Sequence, residues 1–436
     1  MVMSIRSIMV VAGTRPEAIK LAPAFWWLEK LGVDYVFVWS GQHYDYELSR
    51  VFFEQLKLPE PAVDLDVRSG THAEQSAKIM MGLEKALDKY KPTVVVAQGD
   101  TNTVVAAALT AAKKLVPFAH VEAGLRSWDR TMPEEINRIV ADAVAHLCFA
   151  PTALAAVNLM HEGVPISRIH ITGNTIVDVI HSYRDIASEE GEKMLKELGL
   201  QPHSYVLVTI HRQENTDNPE RLQSLVKAFA KISRRVPVVF PAHPRTVNRL
   251  RGLDLLESLK DVRMLKPLGY FQFLGLLRYA AIVLTDSGGV QEEACLLKIP
   301  TLTLRYNTER PETVMAGINR LVGTEEERIV TATFDALERR EEIIKHAKNC
   351  EEFLGRGDAG QKIAKTLADA NVEVPTADTR TDPYITYAIL NAPTPNCGNC
   401  EIVAMYDETG LAVEDVTKAK KYLIRGPLTE LLKWLR

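Results

Sequence analysis

The chain has 436 residues, 46% hydrophobic and 25% charged, with 52 basic against 56 acidic side chains and a formal net charge of −4. This is an ordinary globular composition, long enough for two or three domains that bury their cores without disulfides or a structural metal. Near-balanced charge argues against a nucleic-acid binder or a polybasic membrane binder, so an anionic ligand has to be caught by individually placed residues.

Five cysteines in so long a chain cannot form a disulfide framework, and the odd count fits a reducing cytosol. The first apolar run, five residues from Ile8, is too short for a signal-peptide core and passes straight into Gly13-Thr14-Arg15-Pro16. No apolar stretch reaches the roughly 18 residues needed to span a bilayer. A cytoplasmic protein is expected.

Short β-branched runs alternate with longer helix-patterned segments, the signature of parallel sheets with crossover helices. Strands are expected at Ile8–Ala12, Tyr35–Ser40, Thr93–Gln98, Pro117–Val121, His146–Ala150 and Ile169–Thr172. Helices are expected at Pro16–Leu31, His72–Tyr90, Asn102–Leu115 and Pro133–Ala145. The rhythm breaks over the polar stretch from Ser188 to Pro202, which is read as a domain boundary. It then restarts with strands at Tyr205–Ile210, Val236–Pro241, Val262–Leu265, Ala281–Thr285 and Thr301–Leu304. Two doubly wound α/β domains in tandem imply a shared cleft, because ligands of such folds sit outside the carboxyl ends of the strands. The segment after Ala370 differs in character: Asn391-Ala392-Pro393-Thr394-Pro395 reads as a loop, and Leu428, Leu431, Leu432 and Leu435 form a helical stripe of a docked tail.

Strand ends are therefore where chemistry belongs. Gly13-Thr14-Arg15-Pro16 opens a helix on which Arg15 offers a bidentate fork to phosphate, with Lys20 one turn on. Asp100 follows the strand through Val96, where on this motif alone a helix N-cap is the better reading. Glu122 ends the next strand and brings a second acid to the same side of the cleft. Pro133-Glu134-Glu135 opens the following helix, and a favourable acidic first turn explains either Glu134 or Glu135. In the second half, His211-Arg212 and His243-Pro244-Arg245 end neighbouring strands, a face suited to polyanion contact. Asp286-Ser287-Gly288-Gly289 runs from a strand into a helix, so Ser287, Gly288 and Gly289 let a phosphate reach backbone N–H groups. Glu293, one turn further, suits paired ribose hydroxyls, and Arg305 and Arg310 follow the next strand.

Other strings carry less. Gly355-Arg356-Gly357-Asp358-Ala359-Gly360 matches G-x-G-x-x-G but follows a helical segment instead of a strand. Cys397-Gly398-Asn399-Cys400 is a single pair without a second ligand pair nearby, so a loop is the plainer reading than a zinc or redox site. A Walker A lysine loop, an H-E-x-x-H zinc helix and aromatic-basic interleaving are all missing from the sequence, and no metal or cofactor is expected.

Taken together, Gly13-Thr14-Arg15-Pro16-Glu17, Gln98-Gly99-Asp100-Thr101, His120 through Arg126, Pro133 through Arg138, His211-Arg212, Ser287 through Glu293 and Glu309-Arg310-Pro311-Glu312 closely resemble the non-hydrolysing UDP-N-acetylglucosamine 2-epimerases. The match runs in order from about residue 8 to about residue 370. The resemblance implies the glycosyltransferase-B arrangement, two Rossmann-like domains across a central cleft. The first would be residues 1–188 joined by a returning helix at 360–370, the second 189–359, with 371–436 an added tail and the whole usually a homodimer. It also implies interconversion of UDP-N-acetylglucosamine and UDP-N-acetylmannosamine without a nicotinamide cofactor, through elimination of UDP to 2-acetamidoglucal and its re-addition. By matching positions, Asp100, Glu122 and Glu134 are the expected acid/base carboxylates and His211 the catalytic histidine near the diphosphate. Arg15, Lys20, His243, Ser287, Gly288, Gly289 and Arg310 are expected to hold UDP-sugar, and Glu293 the ribose. The family's allosteric Gln-His phrase continues here from Gln42-His43 into Tyr44-Asp45, a departure that weighs against retained allosteric activation.

Overall fold

Val94 to Gln98 is buried at every position, as are Ile8–Ala12, Phe118–Val121 and Leu147–Ala150. Continuous burial of such short runs requires a parallel sheet covered on both faces by helices. The structure, a computed structural model, describes residues 7–41, 53 and 56–369, and the backbone of three later strands, Tyr384–Leu390, Glu401–Tyr406 and Lys421–Pro427. The strands β1 (Ile8–Ala12), β2 (Tyr35–Trp39), β3 (Val63–Asp64), β4 (Val94–Gln98), β5 (Phe118–Val121), β6 (Leu147–Ala150) and β7 (Ile169–Ile171) form one sheet in the order β3-β2-β1-β4-β5-β6-β7. A second sheet takes β8 (Val206–Thr209), β9 (Val238–Pro241), β10 (Arg263–Leu265), β11 (Ile282–Thr285), β12 (Thr301–Thr303) and β13 (Asn319–Leu321) in the order β10-β9-β8-β11-β12-β13.

The pairings within both sheets are parallel. In each the chain winds outward from its first strand and then jumps back past it, so the direction reverses between β1 and β4 and between β8 and β11. Those reversals are the switch points at which doubly wound folds bind ligands. The architecture is α/β, two Rossmann-like sheets facing a central cleft. The late strands β14 (Tyr384–Leu390), β15 (Glu401–Tyr406) and β16 (Lys421–Pro427) make an antiparallel sheet in the order β14-β16-β15.

The expected strands are found to within two residues at either end. β3 and β13 were not anticipated, being two and three residues long without an apolar run. Ser188 to Leu198 is not a break: the helix Thr175–Leu198 continues through it, burying Gly191, Met194 and Leu195 while its charged face meets solvent, and ends at the left-handed Gly199.

The cysteine expectation needs correction, since Cys295 and Cys350 are joined in a disulfide across 55 residues. Count and spacing carry no sign of it, because the pair forms only once the end of helix Gly288–Leu296 packs on the segment before Glu351–Leu354. Cys148 is a buried free thiol. Cys397, Cys400 and the Leu428–Leu435 stripe lie outside the described residues.

The glycine string from Gly355 to Gly360 joins chain segments. Helix Ala359–Asp369 returns to helix Arg15–Lys30 so closely that a Cβ at Gly360 would lie 2.5 Å from Pro23 Cβ. The buried Asp178 carboxylate caps it, accepting the N–H groups of Ala359 at 3.2 Å and Gly360 at 3.0 Å. Among the described residues no helix is long and apolar enough to cross a membrane.

Candidate active site

At the end of β1, Thr14 caps the helix Arg15–Lys30, and the buried Glu17 accepts from Gly13 N at 2.6 Å, Thr14 N at 2.8 Å and the Thr101 hydroxyl. Burial pushes the Glu17 carboxyl up to about 7 against those bonds. The helix start expected to receive phosphate beside Arg15 therefore already holds an internal carboxyl group. Lys20, one turn on, is buried and points to the cleft.

β4 ends in Gln98, Gly99 and Asp100, and Thr101 rather than Asp100 caps the next helix, Asn102–Lys113. Asp100 pairs with Arg138 Nη1 at 2.5 Å. Its carboxyl is raised above the usual range by withdrawal from water, an effect that Arg138 only partly offsets. Glu122 follows β5 with φ of 71°, a left-handed conformation that a non-glycine residue keeps only when its surroundings impose it. Of the two glutamates at the start of helix Pro133–Val144, the structure separates the roles. Glu135 is fully buried and accepts from Ser127 N at 3.0 Å and Trp128 N at 2.9 Å, whereas Glu134 is partly exposed and reaches Arg212 Nη1 at 3.2 Å.

From the second sheet, the buried Asp286 at the end of β11 accepts the backbone N–H groups of His211 and Arg212, each at 3.1 Å, and so fixes the turn after β8. Ser287, Gly288 and Gly289 start the helix Gly288–Leu296, with Ser287 N donating to Thr285 Oγ1 at 3.0 Å. Nothing lies within 4 Å of where a Cβ at Gly289 would stand, so backbone there is open to a ligand. Glu293 is buried beside Tyr270, and burial pushes its carboxyl up to about 7. His243 follows β9, the neighbour of β8, and caps the helix Pro244–Gly252, its Nδ1 accepting from Arg245 N at 3.2 Å.

The two halves meet through charge. Lys20 Nζ lies 2.6 Å from Glu122 and 2.9 Å from Glu292, and Arg310 reaches Glu122 at 2.6 Å and also Glu292. Asn174 donates to Glu292 at 2.7 Å and Thr152 to Glu312. Burial alone would raise the Glu122 carboxyl, but Lys20 and Arg310 hold it below its ordinary range. Behind them Glu309 sits between Arg212 and Arg305, each at 2.8 Å, and these cations outweigh its burial to hold it well below the carboxylate range.

The structure thus gathers Lys20, Asp100, Glu122, Glu134, Arg310 and the turn carrying His211 around one cleft, with Ser287 to Gly289 opening on the second sheet's side. Arg212 and Arg305, named above beside His211 and Arg310, join them, as do Arg138, Glu292 and Glu309, to which no role had been given. Glu292 had a signal in the Glu292-Glu293 doublet, and Arg138 in the helical spacing from Glu134. Gln42 and His43 lie outside the described residues. Among the described residues no group of three or more His, Cys, Asp or Glu is arranged to hold a metal. Such a cleft offers guanidinium and ammonium groups to a diphosphate and carboxyls of differing proton affinity to a carbon acid.

Comparison with known proteins identifies the family. The family model described as UDP-N-acetylglucosamine 2-epimerase matches residues 28–368. A UDP-N-acetylglucosamine 2-epimerase of Methanocaldococcus jannaschii is 44% identical over 364 residues, covering 82% of this chain and 98% of that one. A UDP-2,3-diacetamido-2,3-dideoxy-D-glucuronate 2-epimerase of Pseudomonas aeruginosa is 39% identical over 367 residues, covering 83% and 99%. The crystal structure of the M. jannaschii UDP-GlcNAc 2-epimerase in complex with UDP-GlcNAc and UDP superposes with a TM-score of 0.78, over 84% of this chain and all of that one. The Neisseria meningitidis UDP-GlcNAc 2-epimerase bound to UDP-GlcNAc gives 0.77 at 31% identity, again over 84% of this chain and all of that one. With the match covering most of the chain and nearly the whole of these relatives, the chain belongs to the UDP-N-acetylglucosamine 2-epimerase family.

Proposed function

We propose that the protein reversibly epimerises carbon 2 of UDP-N-acetylglucosamine to give UDP-N-acetylmannosamine. The observation that carries the reading is Glu122 held between Lys20 and Arg310 where the strand ends of the two sheets meet, with Asp100 on the adjacent strand end. In the reaction the anomeric C–O bond breaks with its electron pair leaving on UDP, which renders the C2 hydrogen acidic. A carboxylate removes that proton and the C–H pair forms the C1=C2 bond of 2-acetamidoglucal. Protonation of C2 from the opposite face and attack of the UDP oxygen on C1 complete the inversion. The sequence of steps is redox-neutral and calls for no nicotinamide.

Asp100, Glu122 and Glu134 are the proposed acid/base groups. The raised carboxyl of Asp100 and the lowered one of Glu122 give two proton affinities in one site, the condition that lets one accept while another donates. His211, Arg310 and the N–H groups from Ser287 to Gly289 receive the departing diphosphate, with Arg15 and Lys20 further cations, His243 a further phosphate contact and Glu293 the ribose partner. We further propose the domain division at about residue 188, within the helix Thr175–Leu198 that carries the chain from the first sheet to the second, with the helix from 360 to 370 returning to the first domain, a cytoplasmic homodimer, and a place in nucleotide-sugar supply for polysaccharide synthesis.

Incubation with UDP-N-acetylglucosamine in deuterated water tests this reading. Deuterium at C2 of recovered UDP-N-acetylmannosamine supports it, and free sugar with UDP points to a hydrolysing enzyme. The 39% identity to the P. aeruginosa enzyme supports a second reading, a diacetamido-uronate substrate. That reading is favoured if only the UDP-2,3-diacetamido sugar acquires deuterium. No change in either sugar without an added acceptor sinks both in favour of a glycosyltransferase or a sensor.

A further inference from the structure

His120 lies in the middle of the motif that carries Glu122 but faces away from the cleft. It is fully buried on β5, paired with Ala97 of β4, and its ring stacks on Phe118 at 6.1 Å. Nδ1 is 2.6 Å from Asp142 Oδ1, and Nε2 is 2.7 Å from the carbonyl oxygen of Gly99. A carbonyl can only accept, so Nε2 carries a hydrogen. Asp142 receives Arg126 Nη2 at 2.7 Å and Gly124 N at 3.1 Å besides the ring. A carboxyl that takes a guanidinium and a backbone N–H on Oδ2 is ionised, so Nδ1 donates to Oδ1. Two donating nitrogens define an imidazolium. Burial alone would lower the ring's proton affinity, but the Asp142 pair raises it above the ordinary histidine value. Arg126 is matched in turn by Glu162, with Nε at 2.8 Å from Oε1, so the buried charges balance.

Through this contact His120 acts on the neighbouring Asp100. Gly99 has φ of 88°, where no side chain restrains the peptide plane, and its carbonyl belongs to the peptide that enters Asp100. Asn137 Nδ2 holds the Asp100 carbonyl at 2.8 Å and Arg138 holds its carboxylate. His120 supplies the remaining anchor, on the peptide before it.

We propose that His120 is a positioning residue of the epimerase site: a buried imidazolium, oriented by Asp142, that clamps the Gly99 carbonyl and so sets the aim of the Asp100 carboxylate. The inference rests on the acid/base role proposed for Asp100. Displacement of a reacting group by about 1 Å costs about 100-fold in rate.

Two measurements test it. In histidine-labelled wild-type protein, nitrogen-15 NMR just above the ordinary histidine value of 6.5 is expected to show both ring nitrogens of His120 protonated; an unprotonated Nε2 overturns the clamp, and an unprotonated Nδ1 overturns the imidazolium. In kinetics, His120→Phe is expected to lower kcat about 100-fold with KM and UDP affinity little changed. His120→Gln, which can still donate to Gly99, is expected to recover about tenfold of that loss. Wild-type kcat in His120→Phe, equal losses in both variants, or UDP affinity falling in step with kcat each overturns the positioning role. If His120→Phe does not fold, the NMR result and the Gln variant still decide. A wild-type protein without 2-epimerisation removes the proposed function instead, and the ring's protonation state then stands or falls alone.

Discussion

Lys20 Nζ lies 2.9 Å from Glu292, 272 residues away in sequence, and both side chains are almost wholly buried. The pair joins the first turns of a helix on the first sheet to a helix on the second, so closure of the cleft and desolvation of these charges are one event. Removing one member of a buried pair costs about 3–5 kcal/mol while the other stays buried. Without Glu292, Lys20 and Arg310 share Glu122 alone, one buried cation in excess, which a parting of the lobes would return to water. Glu292→Gln is expected to shift the unliganded protein toward an open form, seen as a larger radius of gyration in X-ray scattering that UDP reverses. An unchanged radius with unchanged UDP affinity denies the pair a part in closure.

Glu122 stands between two cations that a diphosphate also needs. Glu122→Gln removes a proton carrier and also frees Lys20 and Arg310 from one of their two internal anions, Glu292 being the other. Turnover is expected to fall about 100- to 10,000-fold while UDP binds at least as tightly as before. Deuterium incorporation and titration calorimetry separate the two effects. Weaker UDP binding by the variant means that the carboxylate is needed to hold those cations in place.

Much of this arrangement is legible in the sequence. The strands were readable because each is a short continuous apolar run ending in a polar phrase, and doubly wound topology turns consecutive strand ends into spatial neighbours. Asp100 and Glu122 could be brought together on that ground alone. Partnerships across the cleft were not readable. Nothing local ties Lys20 to Glu292, or Thr152 to Glu312, because the apposition of the lobes is settled by packing over hundreds of residues. That a backbone loop at Ser127 and Trp128 claims Glu135 and leaves Glu134 to reach Arg212 is a matter of the fold and has no signal in the sequence. The Cys295–Cys350 bond escaped for the same reason.

That disulfide closes a loop of 55 residues, from the helix carrying Glu292 to the segment leading back to the first domain. Chain-entropy arguments put the stabilisation for such a loop at about 4 kcal/mol. Reduction is expected to lower the midpoint of chemical unfolding, and the double variant Cys295→Ser with Cys350→Ser to show the lowered midpoint whether or not dithiothreitol is present. Equal sensitivity of both proteins to the reductant means that the bond is not formed in solution.

Asp178 gives a signed pH dependence. Burial pushes its carboxyl up from 3.8 to about 6 against the two N–H groups that it caps. Above about pH 6 both folded and unfolded chains carry the charge, and its burial penalty is fully present. Between about 6 and 3.8 the folded chain binds a proton that the unfolded chain does not, so this residue's contribution to stability rises as pH falls. Two pKa units correspond to about 3 kcal/mol at most. Asp178→Asn abolishes the titration, so urea midpoints at pH 7.5 and 4.5 are expected to show wild type gaining on the variant as the solution is acidified. Parallel midpoints at the two pH values mean that the carboxylate keeps an ordinary proton affinity and that its two backbone bonds compensate its burial in full.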